Sequence, residues 1–162
     1  MNKVSKSLLL GGTGFLVLLF ISWSVAFPLL TFEVKDQLFW TTEQHFALKW
    51  IHSVEKEEWV EFYEIKDETL FLSKTQFKTF GAGVPSTPKE SEQVSLKDGY
   101  VVLEINRSFP SLQLVVSSNV NSTLIINDKE ILLYELAGDY ESVSISVQKM
   151  SLLDMLLKGE SL

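Results

Sequence analysis

The densest grouping of polar and aromatic side chains runs from Trp50 to Tyr63, W-I-H-S-V-E-K-E-E-W-V-E-F-Y. Read as two strands, 46–53 and 59–65, with a turn somewhere in 54–58, it forms a hairpin. Even positions of the first strand then share a face with odd positions of the second. That face carries Trp50, His52, Trp59, Glu61 and Tyr63. His52 and Glu61 become neighbours or near-neighbours across the ladder. A carboxylate beside an imidazole favours the charged ring and fixes its orientation. Three readings follow. The pair is the acid/base half of an enzyme site, with His52 as general base and Glu61 as its orienter. It is a polar anchor for a ligand or partner. Or it satisfies two polar groups in a structural hairpin. A one-residue slip of register would remove the pair by turning Glu61 to the other face. Ser53 adjoins His52, but successive strand residues point to opposite faces, so the two do not form a Ser–His dyad.

The second grouping is Thr79-Phe80-Gly81-Ala82-Gly83-Val84-Pro85. G-A-G lets the backbone take positive φ or approach another group closely. It is either a tight turn ending a strand or a backbone-lined rim of a cleft, whose amides would serve the enzyme reading as anion donors. No Gly-Lys-Ser/Thr follows, so the phosphate-loop pattern is incomplete. Lys74, Lys78 and Arg107 are the basic residues available for an anion contact there. No metal or cofactor is expected. There is no cysteine, and the two histidines, His45 and His52, would face opposite sides of one strand. The acidic run Glu55–Glu58 lacks calcium-loop spacing. No G-x-S-x-G elbow is present, and no complete catalytic set is assigned.

What must position these residues is uneven in composition. The 162 residues carry 14 Lys and Arg against 21 Asp and Glu, a net charge of -7. This acidic balance excludes non-specific nucleic-acid binding. Yet residues 7–32 hold no charge at all. With Lys3 and Lys6 set aside, the remaining 12 basic residues face all 21 acidic ones, a balance of -9. The run 8–27 is about 30 Å long as a helix, a bilayer's thickness. The expected division is a short cytoplasmic N-terminus over 1–7, a transmembrane anchor or uncleaved signal sequence over 8–30, and an extracytoplasmic β-rich domain over 32–162. Lys3 and Lys6 put the N-terminus inside and the domain on the outer face of the cell membrane. Ser24-Val25-Ala26 keeps open the rival reading of a cleaved signal and a secreted domain.

Beyond residue 32 the hydrophobic period becomes two. Short runs at 46–51, 59–65, 69–73, 100–105, 112–117, 123–126, 131–134 and 143–147 are separated by Asp98-Gly99, Asn127-Asp128 and Gly138-Asp139. Many short strands at this spacing predict a mainly β fold, an antiparallel sandwich or small barrel. Asn127-Asp128 is the clearest hairpin turn. Residues 82–97 read as irregular. Leucines 152, 153, 156 and 157 mark one face of a short C-terminal helix packing across the sheet.

The same residues carry a family resemblance. H-S-V-E-K at 52–56, Glu61, and T-x-F-K-x-F-G-A-G-V-P at 75–85 resemble the bacterial domain of unknown function DUF1850. The resemblance covers roughly residues 32–148. His52, Ser53, Val54 and Glu61 match its first motif; Phe80, Gly81, Ala82, Gly83 and Pro85 match its second. Thr79 stands where the family commonly has serine. No established activity comes with the name. The resemblance implies an association with TAXI-type TRAP solute transporters, hence an accessory role in solute uptake with transporter subunits as partners. The expectation is therefore a membrane-anchored extracytoplasmic β-domain that binds a partner protein or small solute. Its candidate surface is His52, Ser53, Glu61, Tyr63, Phe80, Gly81, Ala82, Gly83, Pro85 and Arg107. A His52/Glu61 hydrolase and a purely structural membrane-associated domain are the alternatives.

Overall fold

The computed structural model describes residues 23–79 and 93–162. Twelve strands form two sheets among them. They are β1 (Ala26–Val34), β2 (Gln37–Thr41), β3 (His45–Ile51), β4 (Glu58–Lys66), β5 (Thr69–Phe77), β6 (Val94–Lys97), β7 (Tyr100–Phe109), β8 (Ser111–Val115), β9 (Thr123–Ile126), β10 (Lys129–Leu132), β11 (Ser142–Ser151) and β12 (Glu160–Ser161). Two short helices, α1 (Leu133–Ala137) and α2 (Leu152–Lys158), flank β11. The first sheet has the order β12-β2-β1-β11-β8 and the second β10-β9-β3-β4-β5-β7-β6. Every pairing is antiparallel except the short β12–β2 contact. The sheets pack face to face as a sandwich with open edges, not as a closed barrel, which corrects the barrel half of the expected fold.

Turn chemistry sets much of the register. Asp98-Gly99 links Lys97 to its partner Tyr100, with φ of 52° and 81°. Asn127-Asp128 links Ile126 to Lys129, with φ of 50° and 60°. Positive φ at both central residues twists a two-residue turn to match the strands. The expected hairpin at Asn127-Asp128 is present, and the expected turn at Asp98-Gly99 closes a second one. Asp67-Glu68 makes the same double left-handed turn between β4 and β5, with glutamate where the other two turns have glycine or aspartate.

The core lies between the sheets. Leu30, Phe32 and Val34 of β1 and Val143 and Ile145 of β11 are fully or almost fully buried. They meet Phe46, Leu48, Tyr63, Leu70, Leu72 and Leu124 of the second sheet. Phe32 touches Phe46 edge to face, ring centroids 6.2 Å apart. A second small cluster, Phe77, Val101 and Leu103 with Trp59, extends the inner face of the second sheet.

β1 overturns the expected membrane anchor over 8–30. Residues 26–30 of that segment are strand, pairing with β11 on one side and, from Leu30 onward, with β2 on the other. Leu29 and Leu30 are buried in the sandwich, not against lipid. Among the described residues no helix is long and apolar enough to cross a membrane. The single-pass topology, the bilayer as partner through 8–30, the signal-anchor reading and the outer-face localisation built on it are corrected accordingly. Residues 8–22 of the expected span lie outside the described residues. The physical reason for the misreading is that at 29–32 this strand is covered on both faces and uncharged, so the alternation that marks a half-exposed strand is missing.

Three smaller expectations change too. The run 131–134 divides: the strand ends at Leu132 and Leu133 opens α1. The C-terminal helix is present, but Leu152, Leu156 and Leu157 are exposed and do not pack across the sheet. Within the expected irregular stretch, 94–97 is the edge strand β6, and 82–92 lies outside the described residues.

Candidate functional site

The register of β3 against β4 decides where each candidate side chain goes. Phe46 faces Tyr63, Leu48 faces Glu61, and Trp50 faces Trp59. The shared face expected for Trp50, Trp59, Glu61 and Tyr63 is therefore the one that forms. His52 follows the end of β3, held by a bond from its N–H to the Glu57 carbonyl at 2.8 Å. This places the turn at 52–57, so that Glu57, and not Glu61, is the residue across from His52.

His52 and Glu61 are not brought together. Glu61 stands opposite Leu48, four strand residues from His52, or about 13 Å along the ladder. The stacked pair Trp50–Trp59, centroids 5.9 Å apart, lies between them. His52 instead stacks on Trp59 at 5.8 Å, and its Nδ1 accepts the Glu55 N–H at 3.3 Å. Among the described residues no catalytic His/Glu arrangement is present, and the hydrolase reading is corrected. Ser53 is an exposed turn residue. Arg107 is exposed on β7, in register with Leu72, and does not line the cleft described below. Phe80, Gly81, Ala82, Gly83 and Pro85 lie outside the described residues.

The structure does bring Glu61 and Tyr63 together. The Tyr63 hydroxyl donates to Glu61 Oε2 at 2.5 Å. Tyr63 is buried and stacks on Phe46 at 4.9 Å, so its ring is fixed. The register shift between Phe62 and Tyr63 leaves Ser73 of β5 as an extra residue opposite this point, its hydroxyl donating to the Phe62 carbonyl at 3.0 Å. Burial holds the Glu61 carboxyl above its ordinary value, and the Tyr63 hydrogen bond opposes that shift. The Tyr63 phenol is pushed up by burial and by the adjacent carboxylate.

Glu61 opens onto a cleft of about 290 Å³ between the sheets. Leu48, Trp50 and Glu61 form one wall. Leu114 and Val116, on and just past the edge strand β8, form the other, with Leu133 at the start of α1 and the polar Ser122 and Thr123 between. Lys49 lies at the margin, and its ammonium is already paired with the Glu130 carboxylate. The volume lies close to the lower bound for small-molecule sites, and aliphatic walls with few convergent polar groups are their usual make-up. A carboxyl in such walls can accept hydrogen bonds or balance a cation, or, protonated, donate. No group of three or more His, Cys, Asp or Glu side chains among the described residues could hold a metal.

Sequence reasoning found Glu61 and Tyr63 but missed the opposite wall. The usable signal was a carboxylate at an inward position, alternating with Trp59 and Tyr63. Nothing local to 111–123 says that β8 crosses opposite β3.

Fold and cleft together define a two-sheet antiparallel β-sandwich domain with a lateral cleft. Residues 46–133 match the family described as a domain of unknown function, DUF1850, and the chain belongs to that family. The matched span is narrower than 32–148. It contains Glu61, Tyr63 and both cleft walls, and leaves out β1, β2 and β11. No curated protein and no solved structure matches the chain. Partnership with TRAP-type subunits rests on the resemblance alone.

Proposed function

We propose that this domain is a small-ligand-binding module whose site is the lateral cleft at Glu61. The observation that supports it is a half-buried carboxyl, held by a packed tyrosine, facing a cleft whose walls include Leu48, Leu114, Val116 and Leu133. A carboxylate away from water is costly unless something offsets it. One hydrogen bond from Tyr63 engages one oxygen. A ligand polar group at the other oxygen, with its apolar part against the leucines, completes the arrangement. His52 and Ser53, at the turn beyond the tryptophans, are outside this site.

A fragment screen by amide-proton NMR on the 162-residue chain tests the proposal. Hits are expected to shift the resonances of Leu48, Trp50, Glu61, Leu114 and Val116 together, and Glu61→Gln to weaken the polar ones. Hits that map elsewhere, or a screen without hits at this cleft, would overturn it.

A further inference from the structure

The charge distribution around the cleft says which ligands it takes. Resting on the reading of the cleft as a ligand site, we propose that its ligand class is a small organic monocation: an ammonium group on a short apolar body.

Four observations converge. Glu61 is the carboxylate that lines the cleft, and among the described residues no salt bridge joins it to a cation. Lys49, the cation at the margin, is neutralised by Glu130, so it neither quenches Glu61 nor attracts an anion. Trp50 lies on the same face as Glu61, one inward position along the ladder, and an indole face attracts a cation within about 6 Å. On the far side Leu114, Val116 and Leu133 present hydrocarbon, which suits an apolar body, and the polar residues there, Gln113, Ser122 and Thr123, are uncharged. An anionic ligand would meet Glu61 with no free cation beside it. A neutral alcohol would satisfy the carboxyl but gain nothing from the indole. The net charge of -7 further favours the approach of a cation. The binding is non-covalent, with Glu61 Oε1 accepting from the ammonium while Oε2 stays with the Tyr63 hydroxyl.

Three probes with one hydrocarbon body separate the possibilities: 3-phenylpropylamine, 3-phenylpropan-1-ol and 3-phenylpropionate. Titration at neutral pH is followed by NMR shifts of the cleft residues. The amine is expected to bind at least tenfold more tightly than the alcohol, and the carboxylate least of all. Glu61→Gln, near-isosteric and able to accept from Tyr63, should weaken the amine at least tenfold and the alcohol far less. Trp50→Leu, read in parallel, should weaken the amine more than the alcohol. If the alcohol or the carboxylate binds the cleft as tightly as the amine, the cation assignment fails and the ligand-site reading survives. If none of the three binds while other fragments do, the assignment fails in the same way. If no compound of any class moves the cleft residues, both fall.

Discussion

Glu61 is where a single atom's environment has a measurable consequence. Burial raises its folded pKa above the ordinary 4.5, with the Tyr63 hydrogen bond pulling the other way. An acid raised on folding binds protons more readily in the native than in the unfolded state. Stability is then greatest below the unfolded value near 4.5 and falls as pH rises from there through the folded value. Glu61→Gln removes that titration and keeps an acceptor for Tyr63. Urea denaturation of both proteins from pH 4 to 8 should show the variant gaining on the wild type as pH rises. A difference that stays flat across this window would mean that the carboxyl is well solvated. How much of the site was legible follows from the same residues. Alternation alone placed Glu61 beside Tyr63 on the inner face, because strand period is a local property. Its supposed partner His52 was misplaced because adjacency across a hairpin depends on where the turn begins, and the polar run 53–58 fits several turns equally well. The Leu114–Val116 wall was invisible because contact between sheets leaves no trace in local spacing.

At the scale of elements, punctuation residues carried the reading. Asp98-Gly99 and Asn127-Asp128 encode their turns in residue types that tolerate positive φ, so β9–β10 could be drawn from sequence, whereas β6, exposed throughout, reads as irregular. The C-terminal segment is subtler. Ser151 caps α2: its hydroxyl accepts the Asp154 N–H at 3.1 Å, and the Asp154 carboxylate accepts the Ser151 N–H at 3.0 Å. Lys158 and these bonds hold the Asp154 carboxyl down at about 2. The capped helix aims the chain so that β12 lies along β2, and the Leu162 N–H reaches the Trp40 carbonyl at 3.0 Å. Gly159 makes this close approach possible. A Cβ there would stand 2.8 Å from the Leu38 carbonyl oxygen and 2.9 Å from Trp40 Cδ1. Because the first of these is backbone, no rotamer change relieves it. Gly159→Ala should therefore detach β12, lowering stability by about 1 kcal/mol. Hydrogen exchange at Leu162 reads it directly: the amide should lose its protection while those of β4 and β5 keep theirs.

Across the whole molecule, the question that decides the reading of the chain is what the apolar stretch ending near Val34 does. Its hydropathy alone fits a membrane span as well as a buried central strand, and the alternation that identifies half-exposed strands is missing when both faces are covered. What settles 26–34 is its partners: β11 on one side, β2 on the other, and the second sheet across the core. Phe32 sits at the centre of this arrangement. It is fully buried, in register with both Phe39 and Ile145, and meets Phe46 across the sandwich. If β1 is integral to the fold, Phe32→Ala must cost what core phenylalanines cost, about 3–5 kcal/mol. The loss must also appear as one cooperative transition in both sheets, since Phe32 and Phe46 belong to different ones. Urea unfolding followed by tryptophan fluorescence checks the first part. Hydrogen exchange compared between β11 and β4 checks the second. A variant as stable as the wild type, or one that loosens β11 while β4 keeps its full protection, would show that the second sheet folds without β1.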